Sequence, residues 1–149
     1  MRGQGTSPLQ RGLQAEESFK KLLGEAITSS ALSDRFDHVD FLVRYDVKRI
    51  RSVDEFGESN YHWLELVNVN GNTGWLYGKS DYFAFETKRY WIVVAKIDLH
   101  EFINNMVTDT TVTYEKRPYG VYRRKDRLDK VVMVPTVDLC AIGFMIEKK

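Results

Sequence analysis

The sequence predicts a single α/β domain in which a central mixed β-sheet of four to five strands is flanked by helices, and three observations predict it. Phe19, Leu22, Leu23, Ala26 and Ile27 recur at helical spacing near the start of the chain. From His38 onward, short runs rich in Val, Ile, Tyr, Phe and Trp alternate apolar with polar residues and are separated by turn residues. A second helical pattern then follows the strands, so helices bracket a sheet instead of forming a bundle. The length, 149 residues, is enough for one core and little more.

Residues 1–10 are polar and Gly-rich and are expected to be a flexible N-terminus, with residues 11–149 as the domain. The first helix is expected from Leu13 to about Ile27, with Gly24 a weak point within it. Ser29, Ser30 and Ser33 mark a loop. Strand texture begins at His38 and runs, with a break, to Ile50. A charged loop with Gly57 leads to a second strand region, Tyr61–Val69, which Asn70-Gly71-Asn72-Thr73-Gly74 closes as a turn. Asp81–Glu86 and Tyr90–Ile97 read as two further strands joined by Thr87-Lys88-Arg89. Asp98 and Glu101 have the spacing of a capping box for a helix reaching about Met106. Thr110–Tyr114 reads as extended, Val131–Val134 as a short strand ended by Pro135, and Asp138–Ile146 as a closing helix.

Composition excludes several classes. Cys140 is the only cysteine, so neither an intrachain disulfide nor a cysteine-based zinc site within one chain is available. No apolar run approaches the roughly 20 residues that span a bilayer, and the opening residues lack the apolar stretch of a secretion signal. An intracellular, cytoplasmic setting without a membrane partner is the expectation. The net charge of +1 is far from that of a protein that coats nucleic acid non-specifically, yet a local patch can still carry phosphate contacts.

The chemistry is concentrated in His38-Val-Asp-Phe-Leu-Val-Arg-Tyr-Asp-Val-Lys48. Phosphodiester hydrolysis needs a cation that polarises the phosphate and acidifies a water, and hard Mg²⁺ prefers carboxylate oxygens. A lysine beside that cation can orient the attacking water or offset charge growing on phosphorus. Asp46 and Lys48 share one strand face because side chains repeat with period two. On a straight strand Asp40 and Asp46 would lie roughly 20 Å apart at ~3.3 Å per residue, so a shared metal requires a reversal near Val43-Arg44. Glu65 on the following strand would lie alongside Lys48 if that hairpin is in register.

Asp40 followed by Asp46-Val47-Lys48 resembles the core signature of the PD-(D/E)XK nuclease superfamily, which includes restriction endonucleases and archaeal-type Holliday junction resolvases. That superfamily adds a glutamate on its first helix, and Gly12-Leu-Gln-Ala-Glu16-Glu-Ser-Phe19 is similar to such a helix. Glu16 borders the apolar face, whereas Glu17 points nearly opposite, so Glu16 takes that role. Gly74-Trp-Leu-Tyr-Gly78 and the following Asp81-Tyr82 resemble segments of phage-type nuclease-like sequences. The resemblance implies a restriction-endonuclease-like fold and a Mg²⁺- or Mn²⁺-dependent nuclease acting on double-stranded or branched DNA. In it, Asp40, Asp46 and Glu65 would hold the metal, with Lys48, Asp46, Asp40 and Glu16 catalytic. A homodimer would cut both strands.

Lys116 to Lys130 carries seven Lys or Arg, partly neutralised by Asp126, Asp129 and the preceding Glu115 and interleaved with tyrosines, a mixture suited to phosphate contact and base stacking. Arg117, Arg123, Arg124 and Lys125 are the expected backbone-gripping residues. The competing readings are an accessory protein that binds nucleic acid on a nuclease fold without cutting, and an interaction domain with no nucleic-acid partner.

Overall fold

A computed structural model describes residues 7–29, 44–50, 52–53 and 59–148. Among these, the elements in chain order are α1 (Pro8–Ser29), β1 (Tyr45–Lys48), β2 (Ser52–Val53), β3 (Ser59–Val67), a 3-10 turn (Trp75–Tyr77), β4 (Tyr82–Glu86), β5 (Tyr90–Ala95), α2 (Lys96–Met106), β6 (Val112–Thr113), β7 (Val121–Tyr122), β8 (Lys130–Pro135), α3 (Thr136–Ile142) and β9 (Phe144–Glu147). They form one α/β domain.

The strands are divided between two mixed sheets, where one central sheet was expected. One has the order β1-β4-β5-β9 and the other β2-β3-β8-β7-β6. The division follows from burial on both faces of the β4–β5 hairpin. Phe83, Phe85, Ile92 and Val94 point one way into a cluster with Leu64, Val121, Val132 and Val134 of the second sheet and with Leu99, Ile103 and Leu139 of α2 and α3. Ala84, Trp91 and Val93 point the other way, against Ala15, Phe19 and Leu22 of α1. A two-residue side-chain period with both faces apolar requires a covering layer on each side. Helix α1 supplies one cover and the second sheet the other.

Two local expectations change. α2 begins at Lys96 with Ala95 as its N-cap and no side-chain cap, so the Asp98/Glu101 capping box does not form. The reason is tertiary: the Lys96 N–H donates to the Asp81 carbonyl at 2.9 Å, tying the helix start to the entry of β4. The closing helix stops at Ile142, and Phe144–Glu147 pairs antiparallel with β5. Gly143 makes that turn possible, because a Cβ there would stand 2.6 Å from the Val93 carbonyl oxygen. The Asn70–Gly74 turn forms as read, with Asn68 Oδ1 accepting from the backbone N–H of both Asn70 and Asn72 and with Gly71 at φ 81°. No helix among the described residues is long and apolar enough to cross a membrane.

The α1 layer rests on Phe19, whose ring centroid lies 5.3 Å from that of Tyr45 and 5.2 Å from that of Trp91. Phe19→Ala is expected to cost about 3–5 kcal/mol of unfolding free energy, the range for an aromatic lost from a core that does not collapse. Urea denaturation followed by circular dichroism measures it.

Candidate functional site

β1 is a four-residue edge strand whose alternation decides which side chains pack under α1 and which turn away from it. Tyr45 and Val47 pack on the α1 side with Ala84 and Trp91. Asp46 and Lys48 therefore occupy the opposite face, in register with Phe83 and Phe85 of β4. Parallel pairing to β4 holds this register, and it begins at Arg44. The Arg44 N–H donates to Asp81 Oδ2 at 2.9 Å, and the Arg44 carbonyl accepts from the Asp81 and Tyr82 N–H groups. At the far end, the Ile50 N–H donates to Glu86 Oε1 at 2.9 Å.

Lys48 is held from two sides. Its Nζ lies 3.0 Å from Asp46 Oδ1 and 4.1 Å from the centroid of the Trp75 ring. Trp75 is itself set by Phe83, at 5.4 Å between ring centroids, and its backbone N–H donates to Glu65 Oε1 at 3.2 Å. Gly74 permits that approach: a Cβ on it would stand 2.3 Å from the Glu65 carbonyl oxygen, closer than any side chain allows. Lys48, Glu65 and Trp75 line one cleft of about 300 Å³, together with Val47, Arg49, His62, Trp63, Asp129, Val131 and Gly12 of α1. Glu65 and Lys48 thus share a site, although not by hairpin register. β1 pairs with β4 and β3 with β8, and the two residues meet at the cleft from different sheets.

The other expected residues fall as follows. Asp40 lies outside the described residues. Glu16 is exposed on α1 and does not line the cleft, because the inward stripe passes through Ala15, Phe19 and Leu22 and the residue that reaches the cleft is Gly12. In the basic segment, the Arg123 Nε–H donates to the Arg127 carbonyl at 2.6 Å and closes a tight turn in which Asp126 takes φ 64°. Arg124 Nη2 lies 3.3 Å from Asp129 Oδ2. Lys125 Nζ stands 6.0 Å above the ring of Tyr114, and Arg117 is exposed. Tyr119 turns inward instead. Its hydroxyl donates to Asp138, its ring packs against Phe102, and burial together with the Asp138 carboxylate pushes its pKa up.

Two contributors were missed in the sequence. Trp75 enters there only as part of the Gly74–Gly78 segment, yet its ring supports Lys48 and its backbone orients Glu65. Asp129 reads as a neutralising surface acid, but it is 9% exposed, lines the cleft and has an Oδ1 without a hydrogen-bond partner among the described residues. No local pattern signalled this, since the neighbouring Lys130 that opens β8 is itself charged.

Carboxylate oxygen is the donor type that Mg²⁺ and Mn²⁺ prefer. Among the described residues no group of three or more His, Cys, Asp or Glu side chains is assembled for a metal. Mg²⁺ needs fewer, being held ordinarily by one or two carboxylates with water and substrate phosphate completing its shell. Asp46, partly exposed and on the same strand face as Lys48, and Glu65 in the cleft meet that need in kind.

Two expectations follow. Gly74→Ala should destabilise the protein by roughly 2–3 kcal/mol, since the obstructing atoms are backbone and cannot swing aside; a urea titration reads this. His62 is 5% exposed, and burial pushes its pKa down to about 4, with the charge of Glu86 acting in the opposite direction. The unfolded chain therefore binds this proton before the folded one does. The contribution of His62 is fully present above about pH 6.5 and declines as pH falls toward 4, by up to about 3 kcal/mol. Stability measured at pH 7 and pH 4.5 should differ more in the wild type than in His62→Gln.

No protein-family model matches this chain, and neither a curated protein nor a solved structure shows significant similarity to it.

Proposed function

We propose that the protein is a metal-dependent nuclease that hydrolyses DNA phosphodiester bonds, with the restriction-endonuclease-like architecture and PD-(D/E)XK-type site that the resemblance of its motif implies. The observation that carries this reading is the convergence of Lys48, joined to Asp46, and Glu65 on one cleft from two separate sheets. Asp46 and Glu65 would hold Mg²⁺ or Mn²⁺, with Asp40 as the further carboxylate that the motif implies, whereas Glu16 does not line this cleft. When bound, that cation would supply charge to polarise the scissile phosphate and to lower the pKa of a water. Lys48 positions the attacking water and offsets charge on the phosphate oxygens, and its restraint by Asp46 and Trp75 limits the reorganisation needed at that moment. His62 is neutral at pH 7 and so adds no positive charge to the cleft. Arg117, Arg123, Arg124 and Lys125 grip the DNA backbone, and a homodimer serves cleavage of both strands. An intracellular setting, where DNA is found, goes with this reading.

A second reading has one observation in its favour. The ammonium of Lys48 is already engaged by Asp46 and by Trp75, an arrangement that also suits a DNA-binding accessory protein that has stopped cutting.

Lys48→Ala separates the two. In Mg²⁺ or Mn²⁺, a nuclease should lose roughly 10²- to 10³-fold in cleavage rate, the usual cost of deleting one charge-stabilising donor. Its DNA affinity in EDTA should stay within a few-fold of the wild type. Absence of cleavage by the intact protein on duplex, branched and single-stranded DNA sinks the enzyme reading, and absence of salt-sensitive DNA binding sinks both.

A further inference from the structure

The outward face of the second sheet carries a strip of aromatic rings that neither core cluster uses. Tyr61, Trp63 and Glu65 alternate with the inward His62 and Leu64 on β3. Trp63 and Tyr122 of β7 approach to 5.4 Å between ring centroids with a 34° tilt, although β8 runs between their strands. Tyr61 meets Trp63 edge-on at 5.6 Å. Trp63 is also a wall of the cleft that Lys48 and Glu65 line, so the strip runs into that cleft. Its other end, Tyr122, leads directly into Arg123, Arg124 and Lys125. Cross-strand aromatic pairs do stabilise sheets, but that role does not require a continuous path from a basic turn to a cleft holding a lysine and two carboxylates.

We propose that Tyr61, Trp63 and Tyr122 form a stacking platform for unpaired DNA bases, so that the substrate presented to the cleft is a single-stranded segment, such as one adjoining a duplex. Only the single-stranded form suits this face. Stacked duplex bases offer no free ring surface to a side chain, whereas every unpaired base has two. Charge complementarity points to the same occupant. The segment from Lys116 to Lys130 is strongly basic in a chain whose net charge is only +1, and it borders the strip. Lys125 and the 57% exposed Tyr114 extend the mixture of cation and ring at that end. The chemistry assigned to the cleft rests on the nuclease reading above, but the platform itself is a binding surface and is testable without cleavage.

The test is fluorescence anisotropy in EDTA with a dye-labelled single-stranded oligo(dT) and a blunt DNA hairpin of equal nucleotide number, its strands joined by a polyethylene glycol linker so that no loop base is unpaired. Trp63→Leu and Tyr122→Leu keep apolar bulk and remove the ring. Each should weaken oligo(dT) binding by roughly 5- to 150-fold while hairpin binding changes by less than about twofold, since loss of a stacked base is felt only by the single strand. Circular dichroism confirms that each variant is folded, and Tyr122→Leu decides the matter if Trp63→Leu fails to fold. The platform is overturned if the wild type does not bind oligo(dT), if both folded variants bind it as the wild type does, or if the hairpin loses as much affinity as the single strand. A wild type that cuts nothing but shows the selective loss sustains the platform and sinks the nuclease. Active cleavage with unchanged oligo(dT) binding in the variants does the reverse.

Discussion

The β4–β5 hairpin is apolar on both faces, and the rest of the molecule is arranged to cover it. Phe83, Phe85, Ile92 and Val94 need one lid, and Ala84, Trp91 and Val93 need another. Burying such side chains is worth about 1.5–3 kcal/mol each, so neither face can be left to water. With α1 on one side and the second sheet on the other, β1 is left at an outer edge of its sheet. The hairpin places β1, and β1 places Asp46 and Lys48. An edge strand has one free flank, and groups on it can meet residues from a different sheet.

That arrangement explains why Lys48 depends on so much of the fold. Its strand is fixed by β4, its ammonium by Asp46 and Trp75, and Trp75 by Phe83 from below and by the close passage of Gly74 across β3. An exposed ion pair alone would contribute little, at ~0–1 kcal/mol. The aromatic ring beneath the ammonium and the restricted backbone make it a defined position instead of a fluctuating surface charge. Arg124 and Asp129 extend the same logic toward the basic turn, linking the segment that carries positive charge to the wall of the cleft.

Much of the fold was readable from local pattern. The α1 helix with Phe19 and Leu22 inward, the β4 and β5 strands, the Asn70–Gly74 turn and the strand ending at Pro135 all follow from spacing and turn chemistry. What escaped was decided at a distance. Phe144–Glu147 reads as the end of a helix until Gly143 lets the chain turn beside Val93, a contact between positions far apart in sequence. The Asp98 capping box lost to a backbone bond from Lys96 to Asp81. Partition into two sheets depends on which strand pairs with which, and alternation alone does not carry that information. The site followed the same rule. Asp46 and Lys48 share a face because they are two apart, which the sequence states outright. Glu65 and Trp75 join them only through tertiary packing, and Trp63 meets Tyr122 across an intervening strand.

The parity of β1 carries a consequence for how such a chain can vary. Tyr45 and Val47 pack on the α1 side while Asp46 and Lys48 take the opposite face, from which Lys48 reaches the cleft, and parallel pairing with β4 keeps the two sets apart. A slip of one residue exchanges the sets, driving two charges under α1 and two apolar side chains onto the opposite face. Gain or loss of a single residue within 44–48 therefore destroys core and site together, while a change of two residues restores the faces. Within this strand the permitted length changes are even-numbered, and both the core and the cleft enforce that rule.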